Sequence, residues 1–196
     1  MVAAALASLP LLGSGGRAQV APTKVVLNTA VGTLEIDLYG DKAPITVRNF
    51  LRYIDEKRFD GAEFYRTVRV EGLAQAGLIQ GGCHGDPKRL LPKIETESTA
   101  VTGLRHKVGT LSMPRLEGGQ ASGEFFICLE DSPWYDVNPI KPGDNLGYAA
   151  FGQVVGGFDV ALKIHDMPVS PTLGRDYGMA NQILDPPVRI VTARRV

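Results

Sequence analysis

Three short, mostly apolar runs of the sequence contain polar side chains that could take part in chemistry. They are Phe64-Tyr65-Arg66-Thr67-Val68, Leu78-Ile79-Gln80 and Glu124-Phe125-Phe126-Ile127-Cys128. Side chains alternate between the two faces of a strand, so Arg66 is expected to share its face with Phe64 and Val68. By the same rule, one face carries Leu78 and Gln80, and another carries Glu124, Phe126 and Cys128. The pattern predicts that one cation and one amide project into an otherwise apolar groove.

Other kinds of chemistry find little support in the sequence. A hydrolase is disfavoured because there is no Gly-x-Ser-x-Gly motif, no His-Glu-x-x-His motif and no persuasive nucleophile with a base. Cys83 and His84 are adjacent, but no second pair has the spacing of a metal site, and we interpret His84 as a loop residue, with His106 and His165 equally without a special role. No metal and no cofactor are predicted.

Composition indicates one soluble globular domain. The chain has 196 residues, of which 44% are hydrophobic, which is enough for one well-buried core. Lys plus Arg and Asp plus Glu are equal at 21 each, so no basic field is present to attract nucleic acid. We expect a monomer that binds neither nucleic acid nor, through a spanning helix, a membrane.

The first 22 residues are interpreted as a leader that precedes a domain at residues 23–196. Residues 1–12 are rich in Ala and Leu and uncharged, and small residues follow at Gly16 and Ala18. This order is typical of a secretory signal cut before Gln19, and the run is shorter than the roughly 20 apolar residues of a membrane span. A disordered Ala/Gly leader stays open as the alternative, since no basic segment precedes the apolar run. The signal interpretation predicts a periplasmic or secreted protein.

Hydrophobic spacing predicts strands and two helices. Residues 24–39 indicate a hairpin, and further strands are predicted at 62–68, 78–80, 109–113, 124–129, 149–155 and 188–195. Pro44 suits the first position of a helix that ends near Lys57, and a second helix is predicted at 157–165. Eight short strands with two helices predict a mainly β fold, a closed eight-stranded antiparallel barrel capped by the helices. Residues 71–77, 133–146 and 168–186 are left as long loops.

The three runs around Arg66, Gln80 and Phe126, taken with the motifs that precede and follow them in the chain, resemble the cyclophilin family of peptidyl-prolyl cis-trans isomerases. The resemblance runs from Lys24 to Val196 and includes Ala43-Pro44-x-Thr46-Val47-x-Asn49-Phe50, Gly109-Thr110-Leu111-Ser112-Met113 and the bacterial form Gly147-Tyr148-Ala149-Ala150-Phe151-Gly152. It implies an enzyme that isomerises X-Pro bonds in proline-containing peptides and in unfolded or exported proteins, with no cofactor. A proline-peptide-binding chaperone or adaptor with weak or no catalysis is the alternative, and retention of Arg66 favours the enzyme.

The resemblance also assigns candidate site residues. Catalytic roles fall on Arg66, on Gln80 in the groove and on Phe126 at the floor of the proline pocket. The implied substrate-binding residues are Tyr65, Val68, Leu78, Pro114, Arg115, Glu124, Trp134, Tyr135 and Tyr148. Trp134 could equally be packing under a loop.

Several positions depart from the family pattern. An aromatic residue expected shortly before Gln80 is replaced by Gly77, and the connection from Arg66 to Gln80 is longer than usual. Glu124 stands where the family has an amide, so its carboxylate is expected close to Arg66, where it could pair with the guanidinium. Pro114 and Arg115 also replace the usual groove residues. We therefore expect a substrate preference that differs from that of typical cyclophilins.

Overall fold

A computed structural model describes residues 20–84, 86–115, 119–138, 140 and 145–196. Ten strands lie in these ranges: β1 (Thr23–Thr29), β2 (Gly32–Leu38), β3 (Glu63–Arg69), β4 (Gly77–Gly82), β5 (Ile94–Glu95), β6 (Thr110–Met113), β7 (Gln120–Ala121), β8 (Glu124–Cys128), β9 (Ala149–Gly156) and β10 (Ile183–Arg195). Eight of them close a barrel in the order β1-β10-β3-β4-β8-β6-β9-β2, and β5 pairs with β7 in a separate two-stranded sheet. Every pair of neighbours in the barrel is antiparallel. The predicted barrel is confirmed, whereas the short β5–β7 sheet was not predicted.

Two main helices cover the barrel, as expected. The first, α1 (Pro44–Asp55), begins with proline at its N-terminus and buries Val47, Phe50 and Ile54. Its Phe50 ring lies 5.0–5.4 Å from three other phenylalanine rings of the core. The four-residue helix α2 (Thr99–Thr102) was not predicted, and the second main helix, α3 (Phe158–His165), packs on β2, β3 and β4. No helix among the described residues is long and apolar enough to cross a membrane.

Successive side chains of β8 point alternately into the core and into the groove, as the sequence predicts. Phe125 and Ile127 belong to the main core cluster, while Phe126 and Cys128 belong to a second cluster with Leu78. This alternation places the groove on the outer surface of the β4–β8 sheet.

The prediction that Phe64 shares its face with Arg66 and Val68 is wrong. Phe64 is fully buried in the core, where its ring lies 5.5 Å from that of Phe125. The ladder between β3 and β4 pairs Phe64 with Gly81 and Arg66 with Gln80, so β3 contains one extra residue, a β-bulge, at Tyr65. The bulge interrupts the alternation and brings both Tyr65 and Arg66 to the groove side.

The last strand begins earlier than predicted. Ile183 of β10 pairs with Arg66 of β3, and the ladder resumes only at Val188 opposite Phe64. Part of the predicted 168–186 loop is thus strand, and a short 3₁₀ helix at Arg175–Tyr177 lies within the remainder. Because β10 pairs early with β3, residues 168–186 lie along the edge of the groove. Residues 1–19 of the predicted leader lie outside the described residues.

Gly77, which replaces the expected aromatic residue, sits where no side chain fits. Its φ is +125°, and a Cβ atom built there would lie 1.9 Å from the backbone oxygen of Val68. The backbone of β4 therefore approaches β3 too closely for any other residue type.

We expect Gly77→Ala to lower the free energy of unfolding by about 3–5 kcal/mol, because a steric clash with backbone adds to left-handed strain. Gly72→Ala is the matched control: its φ is +79°, but nothing lies within 4 Å of the added Cβ. The control should lose only about 1–2 kcal/mol. Urea unfolding of both variants measures the difference, and equal losses would contradict the close approach.

Candidate active site

The centre of the groove is a row of three side chains on neighbouring strands. Arg66 on β3 is opposite Gln80 on β4, and Gln80 is opposite Phe126 on β8. Directly paired residues of antiparallel strands have Cβ atoms about 5 Å apart. The barrel register thus places a cation, an amide and an aromatic ring side by side.

An apolar pocket lies next to this row. Leu78, Phe126 and Cys128 form its buried part, and the half-buried side chains of Val68, Tyr135 and Tyr148 pack against them. The Phe126 ring lies 5.4 Å from the ring of Tyr135 and 5.5 Å from that of Tyr148, both edge to face. These contacts fix the ring orientation, so Phe126 forms a rigid floor.

A buried polar chain supports the floor from behind. The His106 ring stacks on Phe126 at 6.0 Å, its Nδ1 donates to Asp136 Oδ1 at 2.7 Å, and its Nε2 accepts from the Ser112 hydroxyl at 2.8 Å. Burial lowers the pKa of His106, against the opposing effect of Asp136, and a neutral ring fits this pattern of one donor and one acceptor. The order Ser, His, Asp is that of a hydrolytic triad. However, Ser112 is 0% exposed. These three hydrogen-bonded side chains therefore support the pocket and do not offer a nucleophile.

The Arg66 guanidinium is held by two amide oxygens. Its Nη1 donates to Gln80 Oε1 at 2.8 Å, and its Nε and Nη2 donate to Gln182 Oε1 at 2.8 and 2.6 Å. A guanidinium has five N–H donors, so these three bonds, made within the described part of the chain, leave two N–H groups for another acceptor. Arg66 is half-buried and lines the open groove, where those donors can meet a ligand.

A relay of hydrogen bonds orients Gln80. The Tyr65 hydroxyl donates to Glu124 Oε2 at 2.8 Å and accepts from Gln80 Nε2 at 2.7 Å. Burial and the neighbouring Glu124 carboxylate raise the pKa of Tyr65, so the hydroxyl keeps its proton. Because the hydroxyl proton goes to the carboxylate, the Gln80 amide must turn its N–H toward Tyr65 and its oxygen toward Arg66.

Glu124 therefore acts on Arg66 through Tyr65 and Gln80. It lies on the groove face with Phe126 and lines the same cavity as Arg66, as the sequence predicts. The direct pairing that we considered from the sequence is not formed, since the bonds of Arg66 within the described residues go to Gln80 and Gln182.

Three of the four remaining predicted residues line a groove cavity of about 440 Å³. Pro114, Arg115 and Tyr148 line it together with Arg66, Gln80 and Glu124. Arg115 Nε donates to the backbone oxygen of Gly147 at 2.6 Å, and its guanidinium carbon lies 5.9 Å from the centre of the Tyr148 ring. Trp134 is 46% exposed beside Tyr135 and is not part of the cluster around Phe126.

Three features of the site were missed from the sequence. Gln182 and Met179 come from the segment left as a loop, and His106 was assigned no special role. No local signal marks Gln182, because its contact with Arg66 depends on the early start of β10. The stacking of His106 depends on Asp136, which is 30 residues away in the chain.

Sequence comparison gives the family of the chain. The family described as cyclophilin type peptidyl-prolyl cis-trans isomerase/CLD matches residues 24–195. A peptidyl-prolyl cis-trans isomerase of Acinetobacter baylyi is 32% identical over 177 residues, which are 89% of this chain and 86% of that protein. Peptidyl-prolyl cis-trans isomerase B of Escherichia coli is 33% identical over 145 residues, 71% of this chain and 82% of that protein.

Solved structures agree on the fold. A crystal structure of a cyclophilin type peptidyl-prolyl cis-trans isomerase from Cryptosporidium parvum superposes with a TM-score of 0.67 at 19% identity, over 89% of this chain and 98% of that one. The same Cryptosporidium protein, crystallised in the presence of the dipeptide Ala-Pro, gives a TM-score of 0.68. The chain belongs to the cyclophilin-type peptidyl-prolyl cis-trans isomerases, and it is an enzyme of that class.

Proposed function

We propose that Arg66 is the catalytic residue of this isomerase and that proline-containing peptides bind across the groove with the proline ring on Phe126. The observation that carries the proposal is a half-buried guanidinium that keeps free donors, beside a rigid apolar pocket. The Cryptosporidium relative crystallised in the presence of Ala-Pro supports a proline-containing ligand for the groove.

The chemistry requires no bond to be made or broken. Rotation about an X-Pro bond crosses a barrier of about 18–20 kcal/mol, because amide resonance is lost as the bond twists. Twisting localises a lone pair on the prolyl nitrogen, so a fixed N–H donor aimed at that atom binds the transition state more strongly than the planar amide. Arg66 supplies the donor, and each thousandfold in rate needs only about 4 kcal/mol of this differential binding.

The other side chains bind and orient the substrate. The apolar pocket at Phe126, Leu78 and Val68 holds the proline ring, while Gln80 hydrogen-bonds to peptide backbone on the carbonyl side of the bond. Tyr135 and Tyr148 keep Phe126 in place. Ring binding is similar in the ground and transition states, so it sets affinity, and Arg66 sets turnover.

For Arg66→Ala we expect turnover of a proline tetrapeptide to fall about 100-fold or more, because a transition-state contact is lost. Peptide affinity should fall much less. Arg66→Lys should rescue only partly, since an ammonium lacks the planar fork that bonds Gln80, Gln182 and the prolyl nitrogen together. A protease-coupled isomerisation assay and calorimetric peptide binding measure the two effects. If folded Arg66→Ala isomerises at the parent rate, the catalytic assignment fails; if the parent binds peptides without isomerising them, the adaptor alternative replaces the enzyme.

Tyr65→Phe tests the relay that orients Gln80. The variant keeps the ring, which packs at a tilt against the His84 ring with centroids 4.2 Å apart, and removes only the hydroxyl. We expect kcat/KM to fall about 5- to 10-fold, because loss of the hydrogen bond from the Gln80 amide to this hydroxyl, worth about 1 kcal/mol, lets the amide turn away from Arg66.

Tyr53→Phe is the matched control, since the Tyr53 hydroxyl also accepts one buried hydrogen bond, from Leu91 N at 2.8 Å. It should reduce stability by about 1 kcal/mol and leave kcat/KM of the folded enzyme unchanged. Parent-like kcat/KM in folded Tyr65→Phe would show that the relay does not orient the amide.

We also propose that the enzyme acts on exported proteins in the periplasm or outside the cell. Uncatalysed X-Pro isomerisation takes tens to hundreds of seconds, so catalysis would speed their folding. The support is the uncharged apolar run at residues 1–12, followed by small residues. Mass spectrometry of protein from its native host should find a mature N-terminus near Gln19. Recovery of the chain from the cytoplasm with Met1 intact would overturn the export proposal.

A further inference from the structure

A second cavity, which we call the side cavity, opens next to the groove. It measures about 550 Å³ and is walled by Leu173, Tyr177, Met179 and Ile183 on one side and by Tyr65, His84 and Glu124 on the other. The first four residues belong to the segment 168–186, which bends back along the groove edge because β10 pairs early with β3. The side cavity therefore exists because residues 168–186 fold over this edge of the groove. The proposed function uses the groove and not the side cavity.

The side cavity is continuous with the groove. Glu124 and Met179 line both the side cavity and the groove cavity. Along β8, Glu124 lies two residues from Phe126, a distance of roughly 7 Å at about 3.4 Å per residue. A peptide with its proline ring on Phe126 thus brings a neighbouring side chain, within about two or three residues of the proline, to the mouth of the side cavity.

The two cavities differ in charge. Among the described residues, three cations, Arg66, Lys93 and Arg115, and one carboxylate, that of Glu124, line the groove cavity. No lysine or arginine lines the side cavity among the described residues, and the Glu124 carboxylate lies there beside apolar walls, the imidazole of His84 and the rings of Tyr65 and Tyr177. Apolar walls suit the methylene stem of a long cationic side chain, while a carboxylate and aromatic rings suit its charged end.

We propose that the side cavity is a specificity subsite for a lysine or arginine side chain close to the proline of the substrate peptide. This inference rests on the proposed function of the groove, and it adds which substrates the groove prefers. The carboxylate at position 124 then has two roles. Its Oε2 accepts from Tyr65, and its negative charge attracts the cationic end of the incoming side chain.

The test compares peptide pairs that carry either lysine or the neutral isostere norleucine. Lysine is placed in turn at each of three positions before and after the proline, and kcat/KM of isomerisation is measured at low salt. We expect a preference for lysine of about 10-fold at one position, falling as ionic strength rises.

Two variants and a control link the preference to the side cavity. Glu124→Gln should bring the lysine-to-norleucine ratio close to one, and Tyr177→Lys, at a side chain that is 82% exposed, should lower it by repulsion. Glu35→Gln removes an exposed carboxylate on β2, which lines neither cavity, and should keep the parent ratio. Because the ratio is the readout, a change in basal turnover does not affect the comparison.

The outcomes separate the two proposals. If no peptide is isomerised, the proposed function of the groove fails. If peptides are isomerised with equal kcat/KM for lysine and norleucine at every position, or if the preference survives both Glu124→Gln and Tyr177→Lys, the subsite is refuted while the function stands.

Discussion

A guanidinium on the wall of an apolar groove is stable in one orientation only when acceptors reach it, and at Arg66 both acceptors are neutral amide oxygens. A carboxylate partner would take the donors in a strong ion pair and weaken their attraction for a prolyl nitrogen. Gln80 and Gln182 instead fix the position of the guanidinium while the full positive charge remains available to the substrate. The one carboxylate of this network, Glu124, is separated from Arg66 by three hydrogen bonds through Tyr65 and Gln80, and it acts by turning the Gln80 amide.

This arrangement depends on two irregularities of the barrel. The bulge at Tyr65 brings two successive side chains of β3 to the groove, so that Arg66 faces the substrate while Tyr65 reaches both Gln80 and Glu124. The early start of β10 brings Gln182 to the other side of Arg66. A regular strand could have supplied the arginine alone, whereas the bulge and the shifted pairing supply the groups that hold it.

The same irregularities mark where prediction from the sequence was limited. Alternation along β8 correctly separates Phe125 and Ile127 from Phe126, because that strand is regular and each face meets a different environment. Alternation along β3 misplaces Phe64, since a bulge has no reliable signature in a run of apolar residues. Helix α1 was predictable from its proline and apolar spacing. The contact between Gln182 and Arg66, 116 residues apart, depends on long-range pairing that the local sequence does not encode.

Long-range packing also explains why the sequence assigned His106 no special role. Ser112, His106 and Asp136 are dispersed in the chain and become a hydrogen-bonded set only when β6 and the Pro133–Tyr135 turn pack together beneath Phe126. Enclosure satisfies their polar groups and removes them from substrate, so the same residue types that elsewhere cleave bonds here stiffen an aromatic floor. Catalysis by bond rotation needs this stiffness more than a nucleophile, because the ring must stay fixed while the chain on the other side of the X-Pro bond turns.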